Sequence, residues 1–366
     1  MRRIAAGSDN RQAKNELTMH ATHLRTAATT LLSSYMCIRS GEEVLLTTDE
    51  GTDERVIRAL AAEIAELDAR PTVLRNPRLP FQGQLADPHI SRPTAQAIAA
   101  SDVWIDLSFP YFAGSRVHDE AMKAGRVRYL LGGDLKAEGF HRLFGMVDLD
   151  RYYDVQRQFY AFIAERGGAD CRITNAAGTN VRFRLGKSTR SKPRYADRPG
   201  MYVVPGTCSL PLEADTVKGV FVVAASVHEH YELLQSPVEI TVDNTIRSLS
   251  GGGSSRVFLD RALRRASKGN YGSVIHLTHG LHPAARMTGH SFIEDIRAVG
   301  NNAVGLGIPW WLPGGGENHP DTVITEQTVK IDGERFIDAG TIVMPPGLAK
   351  AAAELAPRGY GMPAPA

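Results

Sequence analysis

The first half of the chain alternates between short apolar runs and stretches with a helical period. Four runs of β-branched and aromatic residues, each bounded by polar residues and glycine, predict strands at residues 43–49, 71–75, 102–108 and 126–131. Between them, apolar residues recur with a helical period over residues 53–67, 92–100 and 114–124. This β-α-β-α order predicts a parallel sheet with helices on both faces.

Two further helices, at residues 12–36 and 148–166, are predicted to frame this unit, and the glycine pair at 167–168 ends the second one. Beyond that pair the apolar runs become short and extended. Strands are predicted at 171–173, 180–185, 219–224, 237–243 and in a hairpin over 328–337, with one helix at 254–267. The sequence therefore predicts an α/β protein, with a parallel-sheet domain over residues 1–168 and an α+β domain over 169–366.

Composition favours a small-molecule enzyme. The 42 basic and 40 acidic side chains give a formal net charge of +2, which removes a general electrostatic attraction to nucleic acid or to an acidic membrane. No apolar stretch reaches the about 18 residues of a membrane-spanning helix, and no signal-peptide pattern follows Arg2 and Arg3. We therefore expect a cytoplasmic protein. The three separated cysteines predict neither a disulfide framework nor a thiolate metal site.

The histidines offer the clearest candidate chemistry, because the sequence contains no P-loop, GxSxG or HExxH motif. Pro320 favours an extended backbone for His319, and residues i and i+2 of an extended segment face the same side. His319 and Asp321 therefore form a two-ligand half-site for a divalent transition metal. The alternative is a surface turn in which Asp321 caps the following backbone.

A third ligand must come from elsewhere in the chain. If residues 273–278 form a strand, His276 shares a face with Val274 and Thr278, whereas His279 points the other way. His276 would then supply the ligand, and a hydrogen-bonded core histidine is the alternative. His228 and His230 share a face of a predicted strand, a pattern that suits a metal or an exposed edge, and we favour the edge. The glycines at 305 and 307 are weak signals, more typical of a loop than of a phosphate site.

From Tyr195 to its end, the sequence resembles the 2,5-dihydroxypyridine 5,6-dioxygenases, which share their fold with the M29 (aminopeptidase T-like) metallopeptidases. The resembling segments are residues 195–200, 211–219, 275–283, 300–307 and 319–321. In those dioxygenases two histidines and one aspartate hold a single ferrous ion, and the matching positions here are His276, His319 and Asp321. The resemblance implies a mononuclear Fe²⁺ site, with Mn²⁺ or Zn²⁺ as the alternative metals.

The peptidase branch of this fold uses a paired-metal site with additional glutamates. Thr207 and His276 stand where two of those glutamates are expected, and Ala303 stands near a further histidine position. A two-metal aminopeptidase is therefore not expected.

The resembling dioxygenases place an acid/base histidine just after the strand that matches residues 102–108. This chain has Phe109 to Ala113 there, without a histidine. Tyr111, or His118 from the following helix, is therefore the candidate proton donor. The departure leaves the ring that is cleaved undetermined.

Four further residues are candidates for substrate binding. Phe112, Trp310 and Trp311 would stack on an aromatic ring, and Arg286 would hold a substrate carboxylate. The alternatives are apolar packing at the mouth of a cleft for the aromatic residues and surface ion pairing for Arg286.

We therefore predict a mononuclear non-haem iron dioxygenase that cleaves a small hydroxylated aromatic or N-heteroaromatic ring with dioxygen. The resemblance also implies a homo-oligomer. The first alternative is a hydrolase, either aminopeptidase-like or an aromatic-amine aminohydrolase, that uses the same ion as a Lewis acid. The second is a non-catalytic protein that has kept only the fold.

Overall fold

The computed structural model describes residues 21–187, 195–308 and 319–357. In the first half, each predicted strand and helix forms close to its expected bounds, and the part of the predicted 12–36 helix before residue 21 lies outside the described residues. The elements are α1 (residues 21–29, continued by the π-helical turn Thr30–Tyr35), β1 (Glu43–Thr48), α2 (Glu54–Glu66), β2 (Arg70–Arg75), α3 (Arg92–Ala100), β3 (Val103–Asp106), α4 (Arg116–Ala124), β4 (Arg128–Leu131), α5 (Ala137–Phe140, continued by the π-helical turn His141–Gly145) and α6 (Leu149–Ala164).

The second half is mainly antiparallel and contains five predicted strand regions and the predicted helix. Its elements are β5 (Asp170–Thr174), β6 (Asn180–Arg184), β7 (Gly200–Val203), β8 (Thr207–Leu210), β9 (Lys218–Val227), β10 (Tyr231–Asp243), β11 (Thr245–Gly251), α7 (Gly253–Ala266), β12 (Ser273–Gly280), α8 (Phe292–Asp295), β13 (Asn302–Gly307), β14 (Asp321–Ile324), β15 (Thr328–Ile331), β16 (Glu334–Asp338), β17 (Thr341–Ile342) and α9 (Pro346–Ala353). The predicted combination of an α/β half with an α+β half is confirmed.

The first sheet is parallel and has the strand order β2-β1-β3-β4-β7. All residues of β3 and β4 are buried, which explains why these strands read as uninterrupted apolar runs. Strand β7 lies after Gly168 in the chain, yet it pairs with β4. The division of the chain at Gly168 stays a prediction, and one strand crosses it to complete the first sheet.

Within the described residues the second sheet has 12 strands, ten of them in the order β17-β16-β15-β5-β6-β9-β14-β13-β12-β8. The other two strands branch from this order: β10 pairs with β9, and β11 pairs with β10. None of the helices in the described residues is long and apolar enough to cross a membrane.

Charged side chains of the first half of the chain bind to helix α8 of the second half. Asp134, just after β4, accepts hydrogen bonds from Ser291 Oγ and from the backbone N–H groups of Phe292 and Ile293, so it caps the first turn of α8. Arg142 forms a two-point ion pair with the buried Glu294 of the same helix, at 2.6 and 2.9 Å. Helix α8 is therefore held by side chains from the first half of the chain.

Asp106 organises the carboxyl end of β3, where the loop with Tyr111 and Phe112 begins. Its carboxylate accepts hydrogen bonds from Thr47 Oγ1, Tyr129 Oη and the backbone N–H groups of Ser108 and Phe112, at 2.8–3.1 Å. Burial raises the pKa of Asp106 to about 6, despite these four donors. The folded state therefore holds this proton more tightly than the unfolded chain.

Replacing Asp106 with asparagine is expected to destabilise the protein by about 2–4 kcal/mol at pH 7, because the amide NH₂ would face N–H and O–H donors. Urea unfolding would measure this, with Asp154→Asn on the exposed face of α6 as the control. In the parent protein, the contribution of Asp106 to stability should fall as the pH rises from about 4 to about 6, and the variant should lack this slope. Equal stabilities of the parent and Asp106→Asn proteins would contradict the assignment.

Candidate metal centre

The three ligands predicted from the sequence meet at one point. His276 Nε2 lies 2.9 Å from His319 Nε2 and 3.1 Å from Asp321 Oδ1, and His319 Nε2 lies 3.7 Å from the same carboxylate oxygen. Donor atoms bound to one ion at about 2.0–2.2 Å are separated by about 3–3.6 Å, so these spacings suit a single metal ion. In the described part of the chain, this is the one cluster of three such side chains.

Neighbouring strands of the second sheet position the ligands. His276 lies on β12 and Asp321 begins β14, and both residues are directly opposite Gly305 on the intervening strand β13. His319 precedes Asp321 by two extended residues, so the two side chains reach the same point. The side chains of His319 and Asp321 therefore face the same spot, as the sequence predicts, and their role as metal ligands stays a prediction.

Gly305 allows the ligands on the outer strands to meet. Strands β12 and β14 are separated by about 10 Å, twice the normal strand spacing, so the side chains of His276 and Asp321 must extend over β13. A Cβ atom added at Gly305 would overlap Nε2 of His276. The glycine that the sequence suggested as a loop residue therefore lies in a strand, and its missing side chain leaves the space that the imidazole occupies.

Strand β12 forms as predicted, but Val274 does not share a face with His276. The pairing register with β13 shifts between Val274 and His276, as in a β-bulge. Val274 is therefore fully buried on the other face, whereas His276 is half-buried at the site. Thr278 does share the face of His276, because its Oγ1 lies 3.2 Å from His276 Nδ1.

Burial sets the charge of two of the ligands. Desolvation lowers the pKa of His319 to about 4, although the Asp321 carboxylate opposes this change. Burial by itself would raise the pKa of Asp321, but His276 and His319 outweigh it and hold that pKa below its usual value. Near neutral pH, His319 is therefore an uncharged imidazole and Asp321 a carboxylate. Neither has to release a proton when a cation binds.

Thr278 orients the half-buried ligand. When His276 Nδ1 donates its proton to Thr278 Oγ1, Nε2 keeps its lone pair and points at His319 and Asp321. The contact with a hydroxyl two residues along the same strand is therefore compatible with the tautomer that metal binding needs.

Thr278→Val is expected to weaken metal binding by about 10–100-fold, because the imidazole loses the acceptor that fixes its tautomer and orientation. Thr278→Ser keeps the hydroxyl and should bind metal as the parent protein does. Competition against a chromophoric chelator would measure both variants. An unchanged dissociation constant for Thr278→Val would show that Thr278 does not orient His276.

The sequence model of the 2,5-dihydroxypyridine 5,6-dioxygenase family matches residues 28–344, which is most of the chain. The chain belongs to this family. It is an enzyme, and the activity of its family is that of a dioxygenase.

Two solved structures share the fold of this dioxygenase. The 2,5-dihydroxypyridine dioxygenase from Pseudomonas putida KT2440 has a TM-score of 0.66 and 18% identity, over 89% of this chain and 98% of that one. Wild-type AmpT from Thermus thermophilus, of the aminopeptidase T fold, has a TM-score of 0.62 and 14% identity, over 88% and 99%. A search of curated proteins gave no significant match. The predicted resemblance and fold are confirmed.

The two candidate proton donors of the dioxygenase are buried in the first half of the chain. Tyr111 is 6% exposed and its ring lies 6.0 Å from that of Phe109. His118 is 2% exposed and packs 4.9 Å from Tyr129 and 6.4 Å from Trp104, and this burial lowers the pKa of His118. His118 does not join the cluster of metal-ligating atoms. A role in proton transfer stays a prediction for both residues.

The candidate substrate-binding residues lie in different environments. Phe112 is 1% exposed and packs edge-on against Trp104, whereas Arg286 is exposed. Trp310 and Trp311 lie outside the described residues. Their roles in binding substrate stay predictions, and the position of Phe112 corresponds to the apolar packing that was its alternative.

A segment of the first half reaches the metal ligands, and the sequence did not single it out. Gln82, between β2 and α3, donates from Nε2 to the backbone carbonyl of His228 at 3.2 Å, and both residues border the same small cavity as His319. His228 is only 7% exposed, so the prediction that it lies on an exposed strand edge is wrong. Burial and the nearby Arg265 lower the pKa of His228 to about 4.

The same cavity is also bordered by an ion pair. Arg265 of α7 pairs with Glu229, and its guanidinium lies 4.9 Å above the ring of Phe81. No local pattern marks these residues, because packing of a first-half loop against α7 brings them together. Arg265 and Glu229 therefore place a pair of opposite charges next to His319.

Proposed function

We propose that this dioxygenase holds a single Fe²⁺ ion on His276, His319 and Asp321 and cleaves a small hydroxylated aromatic or N-heteroaromatic ring. The observation that supports the proposal is the convergence of two imidazoles and one carboxylate in a chain of the 2,5-dihydroxypyridine 5,6-dioxygenase family. This ligand set is typical of ferrous oxygenases, because three protein ligands on one side leave other positions open.

When bound, the ion would supply the open positions at which a ring substrate and dioxygen are brought together. The protein's part is to hold the ligands in the correct charge state and orientation. Burial keeps His319 uncharged, Thr278 orients His276, and Gly305 leaves space for the imidazole.

The residues beside His319 border the small cavity next to the proposed site. Gln82 fixes the His228 turn by a hydrogen bond, and Arg265 and Glu229 neutralise each other beside His319. A neutralised pair gives a wall without net charge, which suits an uncharged or singly charged ring better than a polyanion. Tyr111 or His118 would move the proton.

Oxygen dependence is the test of this function. Protein loaded with Fe²⁺ is expected to consume about one O₂ for each ring cleaved, with 2,5-dihydroxypyridine and related dihydroxylated or amino-substituted rings as probes. Isotopically labelled O₂ should deliver both of its oxygen atoms to the open-chain product. Anaerobic protein, and protein loaded with Zn²⁺, should be inactive toward the same probes.

The hydrolase alternative makes the opposite prediction. Turnover of an aromatic amine or a peptide without oxygen, with Mn²⁺ or Zn²⁺ in place of iron, would replace the dioxygenase by a Lewis-acid enzyme on the same ligands. Freshly purified protein that contains no stoichiometric metal would support the non-catalytic alternative.

We also propose a homo-oligomer, as expected for the resembling families. Light scattering after gel filtration would measure its mass, and a monomeric mass would contradict this proposal. A cytoplasmic location likewise stays a prediction.

A further inference from the structure

The solvent face of the second sheet contains a row of cations. Lys330 on β15 is directly opposite Arg172 on β5, which is opposite Arg182 on β6, which is opposite Lys218 on β9. On the other side, Lys330 is opposite Arg335 on β16. All five side chains are exposed, and residues that are directly opposite share one face. The cationic row therefore crosses five neighbouring strands, over about 19 Å at the normal strand spacing.

Only the two terminal cations of this row, Arg335 and Lys218, form ion pairs among the described residues. Arg335 pairs with Asp338 at 2.9 Å, and Lys218 pairs with Asp243 at 3.1 Å. Among the described residues, no carboxylate lies within ion-pair distance of Lys330, Arg172 or Arg182, and only Arg172 has a polar side-chain contact, to Asn180 at 3.0 Å. Like charges that face each other across strands reduce stability. The three central cations form no ion pair of their own, and Asp170 is the one carboxylate among the described residues that line the depression.

The shape of the row favours an elongated partner. Lys330, Arg172 and Arg182 line an open depression of about 490 Å³, and the row continues beyond it on both sides. Among the described residues, no α-helix contributes to the lining of the depression, so it lacks the helix N-terminus of a dedicated phosphate site. The neighbouring positions on the same face are Thr174, Asn180 and Thr328 on one side and Asp170 and Arg184 on the other, so they offer no aromatic side chain on which single-stranded nucleic acids stack.

Spacing then distinguishes between kinds of acidic partner. Side chains three and four residues apart on a helix are about 5–6 Å apart, close to the about 4.8 Å between strands. Alternate side chains of an extended strand are about 6.6 Å apart, which fits the row less well. Three to four helical turns also span the about 19 Å of the row.

We propose that this cationic row is a docking surface for an acidic helical segment of a partner protein, with Asp or Glu along one face. The surface is separate from the metal centre, and its occupation does not depend on the proposed reaction. Attraction between the helix and the row would remove the repulsion between the three central cations. Binding should weaken steeply as the salt concentration rises, because all these charges are exposed.

The test uses the full chain and a fluorescently labelled synthetic helix with glutamate at i, i+4, i+7 and i+11. Arg172→Gln combined with Arg182→Gln is expected to weaken binding at low salt by about tenfold, since two exposed ion pairs are lost. The matched control is Arg58→Gln combined with Arg261→Gln, which removes two exposed arginines from helices α2 and α7 and should change binding less than twofold.

Two further measurements make the proposal refutable. A peptide of the same composition with its glutamates spread around the helix should bind more weakly than the one-faced peptide. Equal affinity of both peptides, or equal losses in both double variants, would show attraction by net charge only and overturn the proposal. Tighter binding of single-stranded DNA with the same dependence on Arg172 and Arg182 would also overturn it, in favour of a nucleic acid. Thermal unfolding would confirm that both double variants are folded.

Discussion

Replacing His319 with alanine is expected to remove metal binding and lower turnover by at least about 100-fold, while the protein stays folded. His319 supplies one of three donor atoms within 3.7 Å of one another, and the two that remain cannot hold an ion tightly. The expected loss of stability is small, because the buried ring has no role in the apolar core. Elemental analysis, steady-state kinetics and thermal unfolding would measure the three effects.

The control for this variant is His89→Ala, which removes an exposed histidine far along the chain from the ligands. It should keep the metal content and activity of the parent protein. Full activity of His319→Ala with stoichiometric metal would refute the proposed site. A His319→Ala protein that loses metal but keeps activity would refute only the role of the metal in the reaction.

Gly305→Ala is expected to have nearly the same effect, although Gly305 provides no ligand atom. The new methyl group would occupy the place of His276 Nε2, and the imidazole would have to rotate away from His319 and Asp321. The backbone of Gly305 is not in the left-handed region, so alanine fits the strand. We expect metal affinity to fall by at least about 100-fold with little change in melting temperature.

Gly347→Ala is the matched control, because a Cβ there meets open space at the start of helix α9. It should bind metal as the parent protein does. Metal binding by Gly305→Ala with parental affinity would show that His276 does not need this space. Global unfolding of Gly305→Ala, seen by circular dichroism, would contradict the view that only the ligand is displaced.

The sequence predicted the convergence of His276, His319 and Asp321 better than it predicted the residues around them. The relative direction of the His319 and Asp321 side chains depends on the local backbone conformation. Pro320 favours an extended conformation for His319, so this feature can be predicted from the three residue types. His276 needed the additional prediction of a strand, and that strand forms. The role of Gly305 became visible only from the register of β12, β13 and β14, which is a property of pairing between distant segments.

The same distinction explains the fold. Strands β1, β3 and β4 are buried and read as mainly apolar runs, which the sequence shows directly, whereas β2 at the edge of the sheet is exposed. Strand β7 was not predicted, since its pairing with β4 depends on a long return of the chain after α6. Gln82 and Arg265 were missed for the same reason. Neither has a local pattern, and tertiary packing brings them to the border of His319.

Because β12 and β14 belong to one continuous sheet, the proposed ligands His276 and Asp321 are both held by that sheet. The small cavity beside His319 is bordered by both halves of the chain, since Gln82 comes from the first half. Substitution of Gln82 would therefore alter the entry or release of a ring without removing a proposed metal ligand. Affinity for metal and speed of product escape should thus respond to separate mutations.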